Sequence, residues 1–504
     1  VFLFSGCKGG KEQSNSPAPL PSPTVSPLYS GVKTDLPHVD NIFTLNYKAE
    51  AGLNPYSCTD KDNLLLCQLI FEPLFQVRED FSYEPVLVES YSGDGVNFQF
   101  RIKTGITFQD GNEISIWDAM ARESLRYGSR LKCIKNVWVE NGSLIVSLNQ
   151  TIADFPVLLD IPVIRDGAGY TDRPAGTGPY LLAELGAAVF LKAYDGYRDY
   201  DRLPINRIYL KDYTAEEIAS AYEEAFVDLA VIDPFEKNEP QLGGNSELRR
   251  LDTTVMHYLG VNGNSEFFSS YNRRRLISSM LDRAALADKY IGGAEALLPV
   301  SPASKYYFND IAQGSIYKDL PAALIENLTE DYDADGQLEY IQDGEIKEFS
   351  LTLIVCREDP AKLLTARAIA KQLGSCGITI NLKELTENQF FDALYLGEYD
   401  LYYAEMRLKA DFDLSELLSY GGSASYGLSD GSISGKIRSF LAASGEEKLE
   451  PARELYTYIA STCPLMPIAF EQLELYTHRG AVTGLQPTAA NVFYNITEWK
   501  VSLR

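Results

Sequence analysis

The sequence predicts an α/β protein, and three observations carry that prediction. Residues 350–406 read in turn as strand, helix, strand, helix and strand. From residue 200 onward, apolar strands alternate with helices that have one apolar side. Before residue 150 the pattern differs: short segments alternate apolar and polar residues at period two, as half-buried strands do.

The elements follow in chain order. Val1-Phe2-Leu3-Phe4 is an apolar run that ends in Ser5-Gly6-Cys7. It looks like the end of a secretory signal at a bacterial lipoprotein processing site, with Cys7 as the lipidated residue and the numbering starting inside the signal. The alternative is an ordinary apolar N-terminus that contains a cysteine. Residues 8–37, rich in glycine, serine and proline, read as a disordered tether. Order is expected from about Val39, with a strand over 42–47. Residues 63–75 read as a buried helix ending at Pro73. Residues 97–102 and 143–148 are alternating strands. Between them lie a turn at Asp110-Gly111 and a helix over 117–127, capped by Ser115 or by Trp117-Asp118. Gly176-Thr177-Gly178-Pro179-Tyr180 is a tight turn into a strand, its glycines expected to supply unusual backbone angles. Residues 215–226 form a helix with Ile218, Ala221, Tyr222 and Ala225 on one face, followed by a buried strand over 228–232.

The clearest unit comprises strand 350–355, helix 361–373, strand 378–382, helix 387–396 and strand 399–405. Leu364, Ala368 and Leu373 mark the apolar side of its first helix. Strands alternating with helices in this way are expected to be parallel, with right-handed crossovers. Ligands of such sheets sit beyond the carboxyl ends of the strands. Arg357 and Arg407 follow two of those ends, and Asp411 and Asp413 lie slightly further on.

Composition narrows the function. The chain has 504 residues, a net charge of −25 and 45% hydrophobic residues, enough for large cores and too acidic for nucleic acid. No apolar run after the signal reaches the roughly 18 residues that span a bilayer, so membrane contact is expected through Cys7 alone. The remaining cysteines, Cys58, Cys67, Cys133, Cys356, Cys376 and Cys463, form no CxxC pair and indicate neither zinc nor redox chemistry. Cys133, Cys356 and Cys376 sit among apolar residues and are expected as free thiols. His38, His257 and His478 are the only histidines, none in a metal-ligand spacing and none with a recognisable nucleophile, which argues against an enzyme.

Several segments resemble, in order, the family 5 extracellular solute-binding proteins of ABC importers. Ile70-Phe71-Glu72-Pro73-Leu74 resembles the family's Y-E-P-L helix end. Residues 101–111 resemble L-R-x-G-V-x-F-H-D-G, and Gly176-Thr177-Gly178-Pro179-Tyr180 matches G-T-G-P-Y. Tyr258-Leu259-Gly260-Val261-Asn262 and the segment from Arg274 to Arg283 resemble the crossover strand and the helix after it.

The resemblance implies a type II periplasmic-binding-protein fold, two lobes joined by a hinge, with an extra small α+β domain on the first lobe. Lobe 1 would take residues 38–54, 173–262 and 471–504, the accessory domain 55–172, and lobe 2 residues 263–470. The chain would cross between lobes near Asn262 and return near Phe470. The implied function is capture of a peptide or peptide-like solute outside the cell and its delivery to a membrane permease, by a protein expected to be a monomer; the alternatives are a secreted cell-surface hydrolase and a non-transport sensor using the same fold. Asp411 matches the family aspartate that takes a peptide's α-ammonium group, although the Gly-Trp that begins the family segment is replaced by Arg407-Leu408. A helix cap or exposed turn is the alternative for Asp411.

Arg357 is a candidate for a ligand carboxylate or a solvated loop charge. Arg407 is a further candidate, unless it pairs with Asp411 or Asp413. Tyr47, Phe71, Tyr402 and Tyr403 are candidates for the cleft wall or for the core, and Asn262 completes the set. No cofactor is required. Calcium at Asp331, Asp333 and Asp335 is the one open alternative, because Asp331-Tyr332-Asp333-Ala334-Asp335-Gly336 copies the first half of a calcium loop. Gln342 stands where that loop needs a bidentate glutamate, which weakens the site. A nickel-binding relative is a further possibility that so few histidines do little to support.

Overall fold

Two long strands, Ser246–Val261 and Leu465–His478, run side by side and organise the molecule. In this computed structural model the described residues are 42–119, 128, 130–236, 240, 242–428 and 431–502. Cys7, the expected tether and most of the helix expected over 117–127 lie outside them. The two strands form the centre of a sheet ordered Leu229–Ile232, Leu465–His478, Ser246–Val261, Leu401–Arg407, Ser350–Cys356 and Thr379–Leu385. The last three strands are mutually parallel, as the alternating pattern predicts. Helix Pro360–Ser375 links two of them and is capped by Asp359, whose carboxylate accepts from the Ala361 and Lys362 amides. Helix Glu387–Leu396 begins with a Thr386–Gln389 capping box and ends at Gly397, which takes the left-handed conformation.

The long strands serve both lobes. Leu251 and Leu475 pack in a core with Phe43, Leu45, Tyr47, Phe71 and Tyr180, around a second sheet that begins with Phe43–Asn46 and Arg207–Lys211. Met256, Tyr258, Met466 and Phe470 instead belong to cores on the two faces of the large sheet. Between these regions the ladder breaks, and pairing jumps from Asp252 opposite Gln472 to Met256 opposite Phe470. The crossing therefore lies upstream of Asn262, with the return strand crossing beside Phe470. A bulge here lets both strands bend without losing the pairing on either side.

A four-stranded antiparallel sheet, ordered Val88–Gly93, Asn97–Ile102, Ser143–Leu148 and Ile134–Glu140, has its own core of Phe75, Phe98, Phe100, Phe108 and Phe155. This is the accessory domain. It meets lobe 2 through a hydrogen bond from the Ala153 amide to the Leu441 carbonyl, a Phe81–Phe412 edge-to-face contact and an ion pair between Asp154 and Lys448.

Several local expectations need correction. The first helix is Lys61–Ile70 and stops before the Phe71-Glu72-Pro73 segment, because proline pushes the preceding residue into extended backbone. The helix expected over 215–226 is only Ile218–Glu223; Ala225 already has φ 61°. The segment from Arg274 to Arg283 is not one helix: Tyr271–Ser279 ends, and Asp282 caps a new turn, Arg283–Leu286. In Pro360–Ser375 the buried side holds Thr365, Ala366, Ile369 and Leu373, while Leu364 is exposed. Gly176 and Gly178 have no left-handed angles. Their value is space: a Cβ would lie 1.9 Å from the Ile70 carbonyl oxygen at Gly176 and 2.7 Å from it at Gly178. That closeness lets the Gly178 amide donate to Ile70 O at 2.8 Å and seats the strand on the end of the first helix.

Candidate functional site

The carboxyl ends of strands Ser350–Cys356, Leu401–Arg407 and Leu229–Ile232 all point to the hinge, where open α/β sheets bind ligands. Two groups of polar side chains occupy this region.

The first surrounds Asp411. The chain leaves strand Leu401–Arg407 and turns at Phe412, which holds φ 55°, a conformation bulky residues avoid. Asp411 and Asp413 flank it, and both are buried. Asp411 Oδ1 accepts from the Asp413 amide at 3.1 Å, while its Oδ2 is buried with no hydrogen-bond partner among the described residues. Burial, and then the neighbouring Asp413, push the Asp411 carboxyl up to about 6, against the opposing pull of Lys409 and Lys448. Asp413 accepts from the Ser415 amide and pairs with Lys409 at 3.3 Å. Asp411 is thus neither an exposed turn nor a helix cap. The accessory domain covers this group, with Phe81 on Phe412 and Ala410 packed against the accessory core.

The second group lies on the hinge strands. His257 is fully buried. Its Nδ1 is 2.7 Å from the Tyr403 hydroxyl, and its Nε2 is 2.8 Å from Glu471 Oε1 and 3.9 Å from Glu405 Oε2. Lys362 reaches Glu405 Oε1 at 3.1 Å and Asp359 at 3.3 Å. Burial drives the His257 imidazole down to about 4, so the ring is neutral. Burial also pushes the Glu471 carboxyl up to about 7 and, with help from Glu471, Asp233 up to about 6. The positive charge of Arg407 opposes both of those rises.

The structure distributes the expected site residues unevenly. Arg357 and Arg407 are exposed at their strand ends, and Arg407 acts on Glu471 and Asp233 rather than pairing with Asp411 or Asp413. Tyr402 and Tyr403 are consecutive on a strand and point to opposite faces, so they do not share a wall. Tyr403 joins the His257 group, whereas Tyr402 stacks edge-on with Tyr258 and donates to the Ser423 carbonyl. Tyr47 and Phe71 are packed in the lobe 1 core. Asn262 lies at the far end of its strand, where its amide donates to the Gly397 and Tyr399 carbonyls.

Asp331, Asp333 and Asp335 do converge, joined by Glu339, with oxygens within 4.8 Å of one another. Those carboxylates accept the loop's own amides, from Tyr332, Asp335, Gly336 and Gln337, and Gln342 is turned away to Arg273. All six described cysteines are free thiols. Among the described residues no helix is long and apolar enough to cross a membrane. Sequence reasoning missed His257, Glu405, Glu471 and Lys362, whose spacing along the chain gives no motif.

A glutathione-binding protein, GsiB of Shigella flexneri, is 22% identical over 293 residues, 53% of this chain and 56% of the relative. The chain spans about half the length of the curated relatives it matches. The fold matches solved structures across nearly their full length. The oligopeptide-binding protein AppA of Bacillus subtilis, bound to a nonapeptide, has a TM-score of 0.60 at 18% identity, with 93% of this chain and 100% of that chain covered. A nickel ABC transporter protein of Bacillus halodurans has a TM-score of 0.70 at 18% identity, with 90% and 98% covered. The family model for bacterial extracellular solute-binding proteins, family 5, middle region, matches residues 143–424, and the chain belongs to that family.

Proposed function

We propose that this protein captures a peptide or peptide-like solute between its two lobes, outside the cytoplasm, and hands it to the permease of an ABC importer. Cys7 carries the lipid that holds the protein, as a monomer, at the membrane, and residues 8–37 are the tether. Lobe 1 holds the core of Phe43, Leu45 and Leu475, the accessory domain the core of Phe98, Phe100 and Phe155, and lobe 2 the cores on the two faces of the large sheet. No bond is made or broken; the solute favours the closed state through contacts made only there.

One observation carries this reading: the Asp411 carboxylate is buried under the accessory domain, and its Oδ2 has no partner among the described residues. A buried carboxylate oxygen without a donor is costly, and a ligand ammonium would satisfy it with a charge-assisted hydrogen bond. Access requires the accessory domain to lift from lobe 2, breaking the Asp154–Lys448 and Phe81–Phe412 contacts. Arg357 and Arg407, exposed at the neighbouring strand ends, suit the solute's carboxylate.

The test is mass spectrometry of whatever co-purifies, followed by calorimetry with the identified peptide. Asp411→Ala is expected to weaken binding by at least about 1.5 kcal/mol. Unchanged affinity removes Asp411 from the site, and turnover of the peptide replaces capture with hydrolysis.

A further inference from the structure

We propose that His257, Glu405 and Glu471 form a binding site for one divalent transition-metal cation, resident at the hinge and separate from the transported solute. The three side chains come from three adjacent strands of one sheet. The register sets His257 directly opposite Glu405 on one side and opposite Ala469 on the other. Glu471 is two residues from Ala469 and therefore projects from the same face. The backbone, and not a chance rotamer, brings the three together.

The distances suit a shared ion. His257 Nε2 is 2.8 Å from Glu471 Oε1 and 3.9 Å from Glu405 Oε2, and the three ligand atoms all lie within 4.8 Å of one another. Two ligands each about 2.1 Å from one metal are separated by about 3.4 Å at the tetrahedral angle and by no more than about 4.2 Å. Small side-chain movements meet that condition.

The surroundings prepare the ligands. The Tyr403 hydroxyl, 2.7 Å from Nδ1, can accept a hydrogen bond from Nδ1–H and leave the Nε2 lone pair facing the carboxylates. A hydrogen bond on the far ring nitrogen is how proteins orient metal-binding histidines. In that tautomer the Nε2 lone pair faces Glu471 Oε1 at 2.8 Å, a contact that either a proton on the carboxyl or a bound cation satisfies.

Charge points the same way. Asp233, Asp359, Glu405 and Glu471 face Lys362 and Arg407, four acidic side chains against two basic ones around the imidazole. Glu236, a further carboxylate at the rim, lies 3.9 Å from Lys61. Lys362 engages Oε1 of Glu405 and leaves Oε2 to the proposed ion. One imidazole with two carboxylates suits zinc, manganese, cobalt or nickel better than calcium, which takes six to eight oxygens. Such an ion would tie Ser246–Val261 to Leu465–His478 just beyond the break in their pairing.

The test uses the full chain after chelator treatment, titrated separately with ZnCl2, MnCl2 and NiCl2 in a calorimeter and followed by thermal unfolding. At least one of these ions is expected to bind at one equivalent and raise the unfolding temperature. Glu405→Gln and Glu471→Gln should each weaken that binding at least tenfold. A double variant, Asp331→Asn with Asp333→Asn, should leave it unchanged. His257→Gln should abolish it; should that buried change prevent folding, the half-buried Glu405→Gln still decides. Absence of binding with all three ions overturns the proposal. So does binding that survives both glutamate variants, or binding that disappears with the Asp331 and Asp333 pair. Peptide capture can fail without affecting any of these outcomes.

Discussion

Two groups of buried charges lie near the hinge and are assembled in opposite ways. Asp154 and Lys448 come from different bodies, the accessory domain and lobe 2, and meet only where these touch. His257, Glu405 and Glu471 come from adjacent strands of one sheet, and Lys362 from a helix packed on it. Opening the molecule would pull the first group apart, whereas the second would move as a unit. The comparison also explains the different compensation. Around Asp411 and Asp413, Lys409 and Lys448 supply two ammonium groups, yet one oxygen of Asp411 has no donor among the described residues. Around His257 every ring nitrogen has a partner.

The largest expected effect tests the first half of this contrast. The Lys448 side chain is 2% exposed, and its ammonium lies 2.9 Å from Asp154 and 4.2 Å from the centre of the Phe440 ring. Lys448→Met removes one partner of a buried pair and should cost about 3 kcal/mol in chemical denaturation. Amide exchange at Ala153, which donates to the Leu441 carbonyl, should speed up as well. A loss below about 1 kcal/mol would mean that the pair behaves as a solvated one and does not hold the domains closed.

Asp411→Asn comes next. With the Asp411 carboxyl raised to about 6 from an ordinary 3.8, folding takes up a proton, so this residue's contribution is fully present below about pH 4 and is lost as pH rises through 6. Asparagine keeps the acceptor for the Asp413 amide and cannot ionise. The variant should be more stable than the parent at pH 8, by on the order of 2 kcal/mol, and equal to it near pH 4. Asp233 at about 6 and Glu471 at about 7 leave a residual slope in the same direction, which His257, lowered to about 4, partly offsets. Unfolding midpoints across this range check the sign; an unchanged slope would mean that Asp411 is charged and compensated.

A smaller effect belongs to the hinge group. Tyr403→Phe deletes the hydroxyl on His257 Nδ1 and leaves that nitrogen buried without a partner. The expected cost is about 1 kcal/mol, read by denaturant unfolding, with no change at the Ala153 amide. A change at Ala153 would join the two groups into one.

How much of this was legible in the sequence follows from how local each feature is. The parallel unit after residue 350 was readable because periodicity and caps are written in neighbouring residues; helix Glu387–Leu396 has the bounds that its pattern predicts. The first helix was read too long because the apolar run continues through Phe71, and extended backbone before Pro73 outweighs it. Gly176 and Gly178 were legible as special, but the reason, contact with Ile70, lies more than a hundred residues away in the chain. Asp411 was found through its motif position, yet its burial depends on Phe81 and the accessory core. His257 read as an isolated histidine, since its partners at 403, 405 and 471 become neighbours only through strand register. Strand register is a long-range property that neighbouring residues do not encode.

Arg407 gives the smallest effect and the sharpest division between the two groups. It is exposed, and it opposes the rise of the Glu471 and Asp233 carboxyls without entering the buried set. Exposed charges of this kind contribute little to folding, so Arg407→Gln should change stability by less than about 0.5 kcal/mol. The same change removes a positive charge that favours ionised Glu471, so that carboxyl, already at about 7, should titrate higher still, as carboxyl carbon shifts in NMR would report. If Arg407 also meets the solute's carboxylate, affinity falls while stability does not. A stability loss above about 1 kcal/mol would instead make Arg407 a structural member of the hinge group, and the exposed end of that strand would then be part of the scaffold and unavailable to a ligand.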